Sequence, residues 1–69
     1  MNALVHGTEE EHRATLRRAR DAGVDYVWSG DIRRSPYLAE NLQFGIDNKI
    51  LTTEWVEGEQ ESGWKIKWL

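Results

Sequence analysis

The C-terminal end of the chain alternates strictly between apolar and charged residues. In residues 64–68, two tryptophans and an isoleucine fall on one side of an extended chain and two lysines on the other. Residues 50–57 are rich in β-branched and aromatic residues, and the polar segment 58–63, which contains two glycines, joins the two runs. This pattern predicts a half-buried antiparallel β-hairpin whose apolar side covers the core.

A chain of 69 residues forms one domain and buries only about 60% of the surface that its unfolded form exposes. Its core therefore needs most of its aromatic side chains, four of which are tryptophan. Cysteine is absent, which excludes disulfides, thiolate zinc sites and cysteine nucleophiles. No apolar run is long enough to span a bilayer, and residues 1–7 lack a signal-peptide pattern. We therefore expect a cytoplasmic protein without a membrane partner.

The segment that follows residues 1–7 has a helix-start pattern. Thr8 and Glu11 have the spacing of a capping box, and three glutamates occupy the first helical turn, where the helix dipole favours negative charge. We predict a helix that ends near Ala22, with Gly23 as its terminating residue. One face of that helix should be buried, and it consists of His12, Thr15, Leu16, Ala19 and Ala22. Residues 1–7 are expected to form a loose arm, outside a domain of residues 8–69.

The middle of the chain contains shorter elements. Residues 24–28 alternate like a short strand, and residues 31–34 fit one helical turn capped by Ser29. Ser35 followed by proline predicts a second main helix that continues to about Asn48. Its predicted buried face consists of Leu38, Leu42, Gly45 and Ile46. The predicted fold is thus α+β, with two main helices packed on the C-terminal hairpin.

The order helix, short strand, helical turn, longer helix and hairpin resembles that of winged helix-turn-helix domains. The second half of the chain carries the resemblance, because a helix that begins with Ser35 and proline leads through residues 45–51 into the hairpin. The resemblance implies a small winged-helix-like domain. It also implies that residues 36–48 correspond to the recognition helix and residues 57–63 to the wing tip.

The chemistry of that helix and wing differs from that of DNA-binding members. The outward helix face would carry Glu40, Gln43 and Asp47, while the wing tip would carry Glu57, Glu59 and Glu61. Three lysines against six acidic residues give residues 35–69 a net charge of −3. DNA affinity depends on cations that meet phosphates, so this surface is badly suited to a duplex.

An aromatic pair flanks the same helix. Tyr37 and Phe44 are seven residues apart and lie away from Leu38 and Leu42 on a helical wheel. They are either anchors for a protein partner or part of a small core, and core packing is favoured because so short a chain needs its aromatic side chains inside. The four tryptophans present the same choice between a ligand platform and a packed face, and at most one of them should be substantially exposed.

The arginines cluster in the first half of the chain. Six arginines against three aspartates give residues 13–34 a net charge of +3. This cluster is either a patch for phosphate or an acidic protein, or an ordinary solvated helix face with local pairs such as Glu9 with Arg13 and Arg17 with Asp21. The residues that would contact nucleic acid are Arg13, Arg17, Arg20, Arg33 and Arg34.

Other site chemistries find little support in the sequence. His6, His12 and the neighbouring glutamates match no metal-ligand spacing, and the serines occupy cap or turn positions. No glycine-rich phosphate loop is present, so we expect neither an enzyme nor a cofactor or metal site.

The sequence therefore favours a small non-enzymatic binding protein, an inhibitor or regulator that presents an acidic helix-plus-wing surface to a basic patch on a protein partner. The expected contact residues are Tyr37, Glu40, Gln43, Phe44, Asp47, Glu57 and Glu59. The alternative is a DNA-binding regulator that docks through the arginine face, and a third possibility is a structural subunit of a larger assembly. The chain is expected to be a monomer or a homodimer.

Overall fold

The computed structural model describes residues 4–69, and residues 1–3 of the predicted arm lie outside the described residues. The architecture is α+β, as the sequence predicts, with three helices and a three-stranded antiparallel sheet. In chain order the elements are α1 (Glu9–Asp21), β1 (Tyr26–Trp28), α2 (Ser29–Arg34), α3 (Pro36–Asp47), β2 (Leu51–Glu57) and β3 (Ser62–Trp68).

The two main helices begin where their caps predict. The side chain of Thr8 accepts a hydrogen bond from the backbone N–H of Glu11 at 3.2 Å, which completes the capping box of α1. Gly23 follows the end of α1 with φ of 77°, a left-handed conformation that glycine adopts without strain. At the start of α3, the side chain of Ser35 accepts a hydrogen bond from the N–H of Leu38 at 3.2 Å.

The prediction that Ser29 caps the short helical turn is wrong. Ser29 is the first residue of α2, and Trp28 occupies the N-cap position without a capping hydrogen bond from its side chain. The indole of Trp28 folds back over Gly30, where an added Cβ would lie only 2.6 Å from the ring. β1 leads directly into α2, so the helix begins at Ser29 and not at residue 31, where the cap pattern predicts its start.

The sheet has the strand order β1-β3-β2, with β3 in the centre. Leu51 pairs with Trp68 at one end of the hairpin, and Glu57 pairs with Ser62 at the other. Residues 58–61, here called the wing, connect the two strands, so the loop is shorter than the predicted segment 58–63. The N–H of Gly58 donates to the carbonyl of Glu61 at 2.9 Å and closes the wing.

The core lies where α1 and α3 pack on the inner face of the sheet. It consists of Leu16, Leu42, Phe44, Leu51 and Ile66. The predicted buried face of α3 is partly wrong, because Ile46 is 39% exposed and Leu38 is only half-buried. Asn41 and Phe44 are buried in their place, since α3 turns these two residues towards α1.

Candidate functional site

An apolar groove runs between α3 and the hairpin. It encloses about 220 Å³ and is here called the α3–wing groove. Its lining residues are Ile32, Ala39, Leu42, Gln43, Ile46, Thr53 and Trp64. Ala39, Leu42 and Ile46 recur at helical spacing along one stripe of α3, and 39% of Ile46 remains exposed. Ile32 of α2 closes one side of the groove, and the exposed part of Ile46 lies at its open side.

Two tryptophans connect the groove with the wing. Trp55 pairs with Trp64 across β2 and β3, and their rings meet edge to face at a centroid distance of 4.9 Å. Trp64 lines the groove, whereas Trp55 is 44% exposed and lines a second cavity of about 370 Å³ beside the wing. This wing cavity is also lined by Trp28, Ser29, Arg33, Ser62 and the wing residues 58–61. The groove and the wing cavity thus meet at the tryptophan pair. The other three tryptophans are half-buried, which confirms the prediction that at most one tryptophan is substantially exposed.

Negative charge borders this surface. Asp47 accepts a hydrogen bond from the side-chain amide of Gln43 at 2.8 Å, and Glu57 accepts one from the indole N–H of Trp55 at 3.4 Å. Within residues 4–69, no ion pair within 4.0 Å involves Asp47 or a glutamate of the hairpin. Burial raises the pKa of the Tyr26 hydroxyl, and the charge of Glu61 raises it further. Among residues 4–69, the carboxylates near the wing thus form no close ion pair, and Arg33 is the cation that shares the wing cavity with Glu59 and Glu61.

The seven predicted partner-binding residues divide between two surfaces. Gln43, Asp47, Glu57 and Glu59 are exposed along the α3–wing groove or on the hairpin beyond it. The other three face α1. Phe44 is buried in the core and cannot serve as an exposed anchor, which corrects its assignment to the partner-binding surface and agrees with its interpretation as a core side chain.

Tyr37 and Glu40 support the contact between α1 and α3. The hydroxyl of Tyr37 is hydrogen-bonded to the hydroxyl of Thr15 at 3.0 Å. The carboxylate of Glu40 accepts hydrogen bonds from the backbone N–H groups of Val5 at 2.7 Å and His6 at 2.8 Å. Residues 5 and 6 of the predicted arm are therefore bonded to α3.

A buried histidine, which the sequence analysis did not identify as a structural centre, organises this contact. His12 is 0% exposed, its Nδ1 is hydrogen-bonded to the side-chain amide of Asn41, and its Nε2 lies 2.8 Å from the carboxylate of Glu40. The imidazole ring lies between those of Tyr37 and Phe44, with centroid distances of 5.1 and 5.5 Å. The signal in the sequence was the spacing of positions 37, 41 and 44, which places polar and aromatic residues on one helical stripe.

The hydrogen bonds that Glu40 accepts lower the pKa of its carboxyl group. The backbone N–H of Val5 lowers the pKa of Glu40 most strongly, and the hydrogen bonds from His12 and His6 lower it further. Burial opposes this shift, but the net effect is a carboxylate that ionises more readily than usual. Glu40 is thus an internal acceptor rather than a free charge on the outward face of α3.

The five predicted nucleic-acid-binding arginines do not line one surface. Arg13, Arg17 and Arg20 border a cavity of about 180 Å³, here called the arginine groove, whose other lining residues are Leu16, Ile50 and Trp68. Arg33 instead lines the wing cavity, and the guanidinium of Arg34 lies 5.5 Å above the ring of Trp28.

Local pairs account for part of the arginine charge. Arg13 pairs with Glu9 at 3.0 Å, as expected for a solvated helix face. Asp21 lies 3.7 Å from Arg20 rather than pairing with Arg17.

No protein-family model, curated protein or solved structure matches the chain. Within residues 4–69, no helix is both long and apolar enough to cross a membrane. The same residues contain no group of three or more histidine, aspartate or glutamate side chains placed to hold a metal ion.

Proposed function

We propose that this chain is a small non-enzymatic binding protein of winged-helix-like architecture that docks a protein partner in the α3–wing groove. The observation that carries the proposal is an open apolar groove bordered by carboxylates that form no ion pair within 4.0 Å among residues 4–69. Apolar side chains that remain exposed as a contiguous patch are typical of interaction sites.

The apolar part of the surface would supply most of the affinity. Ile46 and Trp55 are the exposed large side chains nearest the groove and its tryptophan pair. Full burial of a side chain of this size contributes about 1.5–3 kcal/mol, so covering the part of Ile46 or Trp55 that is still exposed contributes about 1 kcal/mol. Buried aromatic anchors are frequent hot spots of protein interfaces.

The acidic border would select the partner. Asp47, Glu57 and Glu59 favour a partner segment in which apolar residues are flanked by lysine or arginine, because complementary charge steers encounter and disfavours wrong partners. The observed element order is the one on which the winged-helix resemblance rests. In DNA-binding winged-helix domains, the surface that corresponds to α3 and the wing contacts the duplex. The negative charge of this surface repels phosphate, so a basic protein is the better match. A partner that itself binds nucleic acid would be blocked, which makes the chain an inhibitor or regulator.

A matched pair of variants tests the groove. Ile46→Lys places a positive charge in the groove, whereas Val24→Lys makes the same change at a residue of similar exposure, 37% against 39%, outside it. In affinity capture with the wild-type chain and both variants as baits, we expect a basic protein to bind the wild type and Val24→Lys. Ile46→Lys should weaken that binding at least about tenfold, because an apolar contact is lost and like charges meet. Equal binding to all three baits would contradict the proposal.

A DNA-binding regulator is the alternative function, and the arrangement of Arg13, Arg17 and Arg20 around one groove is the observation in its favour. It requires strong duplex binding that falls steeply with salt and that Arg17→Ala weakens. Fluorescence anisotropy of a labelled random-sequence duplex, at low and moderate salt, measures both effects. Under the protein-docking proposal we expect no duplex binding even at low salt.

A further inference from the structure

The arginine groove is a second surface that combines charge with an apolar floor. Arg13, Arg17 and Arg20 surround Leu16, Ile50 and Trp68, and all three arginines are exposed. Arg17 forms no ion pair within 4.0 Å among residues 4–69, and the pairs of Arg13 and Arg20 are exposed and thus weak. The groove therefore favours an acidic occupant that also carries apolar side chains.

The wing end of the hairpin has the complementary chemistry. Trp55 is 44% exposed there and donates its indole N–H to Glu57. Trp55 also lines the wing cavity with Glu59 and Glu61, which share it with Arg33 of the same chain. Arginine already stacks on aromatic rings within this chain, since Arg13 lies 5.2 Å above Phe44 and Arg34 lies 5.5 Å above Trp28. An exposed indole beside carboxylates thus offers an arginine both a ring face and an ion pair.

The wing cannot reach the arginine groove of its own chain. Ile50 and Trp68 lie at the end of the hairpin where Leu51 pairs with Trp68, and the wing lies at the opposite end, beyond the pair Glu57 and Ser62. Six residue steps along an extended strand separate these ends by about 20 Å. Only another molecule can therefore bring the two surfaces together.

We propose that two copies of this chain associate head to tail, with the wing end of one copy seated in the arginine groove of the other. Glutamates 57, 59 and 61 meet the three arginines, and Trp55 packs against them and the apolar floor. Because the two surfaces differ, the contact is heterologous and leaves a free wing and a free groove for further copies. A wing that is bound in another copy lies next to the α3–wing groove of its own chain, so self-association competes with partner docking. The self-association itself does not require the proposed partner.

Sedimentation velocity of the purified chain tests this contact at protein concentrations from about 10 μM to about 1 mM, since a small interface binds weakly. We expect concentration-dependent association in about 0.02 M salt that declines in about 0.5 M salt. A chain that stays monomeric throughout the low-salt series overturns the proposal. So does a groove that binds a DNA duplex while the chain itself remains monomeric.

Two double variants identify the surfaces. Arg17→Gln/Arg20→Gln disables the groove and keeps the wing, and Glu59→Gln/Glu61→Gln does the reverse; all four positions are exposed, and far-ultraviolet circular dichroism verifies that each variant folds. Each variant alone should dissociate at least about tenfold more readily than the wild type. Their equimolar mixture should form a one-to-one dimer, because one intact wing then meets one intact groove. Undiminished association of either variant alone would show that the chain associates through another surface. A mixture that stays monomeric would show that the wing does not bind the arginine groove.

Discussion

Replacing Asn41 by leucine removes one hydrogen-bond partner from a fully buried histidine while keeping the number and branching of the side-chain heavy atoms. His12 is 0% exposed and Asn41 is 2% exposed, so water cannot replace the lost bond. An unsatisfied buried polar group costs about 1–3 kcal/mol. We therefore expect Asn41→Leu to lower the free energy of unfolding by about 2 kcal/mol, which corresponds to about 8–16 °C in Tm for a domain of this size.

A second single variant, His12→Phe, and its combination with Asn41→Leu distinguish the loss of the buried hydrogen bond from a general loss of packing. His12→Phe keeps a ring beside Tyr37 and Phe44 but leaves both the amide of Asn41 and the carboxylate of Glu40 without their partner, so it should cost at least about 2 kcal/mol. His12→Phe/Asn41→Leu removes both polar groups, so its cost should fall well below the sum of the two single costs.

Urea unfolding followed by tryptophan fluorescence gives the three free energies. A double-variant cost equal to the sum of the single costs would refute the reasoning. So would an Asn41→Leu cost below about 0.5 kcal/mol, the ordinary range of a surface substitution.

Three further changes test other parts of the fold by the same unfolding assay. The hydrogen bond from the N–H of Val5 lowers the pKa of Glu40 in the folded state. Ionised Glu40 therefore stabilises the fold above the ordinary glutamate pKa, and this stabilisation is lost as the pH falls through the lowered pKa of the folded state. Glu40→Gln should therefore lose less stability on acidification than the wild type, and an identical pH profile would contradict this. Gly45→Ala gains about 1 kcal/mol of helix propensity, but its Cβ would lie 2.8 Å from Cδ2 of the fully buried Leu51. Overpacking costs about 1–3 kcal/mol, so we expect Gly45→Ala to lower the free energy of unfolding by about 1 kcal/mol. A stabilised variant would show that the core rearranges to accept the methyl group. Because Trp55 is 44% exposed, Trp55→Leu should cost no more than about 1 kcal/mol, and a larger loss would mark Trp55 as a core residue.

Local chemistry made much of the fold predictable. The capping box at Thr8 and the Ser35 cap each bond within one turn of their helix, so residue identity and spacing determine the helix starts. The alternation in the hairpin likewise reports which side of a strand is buried. These signals need no knowledge of distant residues.

Long-range pairing explains what the sequence missed. The stripe of α3 that faces α1 includes the polar Asn41, which is buried because His12 lies 29 positions away in sequence and bonds it. A pattern of apolar residues does not reveal a buried pair of polar residues. The prediction therefore assigned Ile46 to the core and kept Phe44 as a candidate anchor. With Asn41 and Phe44 buried against α1, Ile46 stays 39% exposed and lines the groove.

Site-specific photo-crosslinking tests the central claim, that the α3–wing groove docks a basic protein. A photoreactive benzoylphenylalanine replaces Ile46 in one protein and Val24 in a second, since the two positions are nearly equally exposed. The account predicts that position 46, and not position 24, forms a crosslink in cells to a protein segment with apolar residues flanked by lysine or arginine. A crosslink from position 46 to nucleic acid, or the same protein captured from both positions, would contradict it.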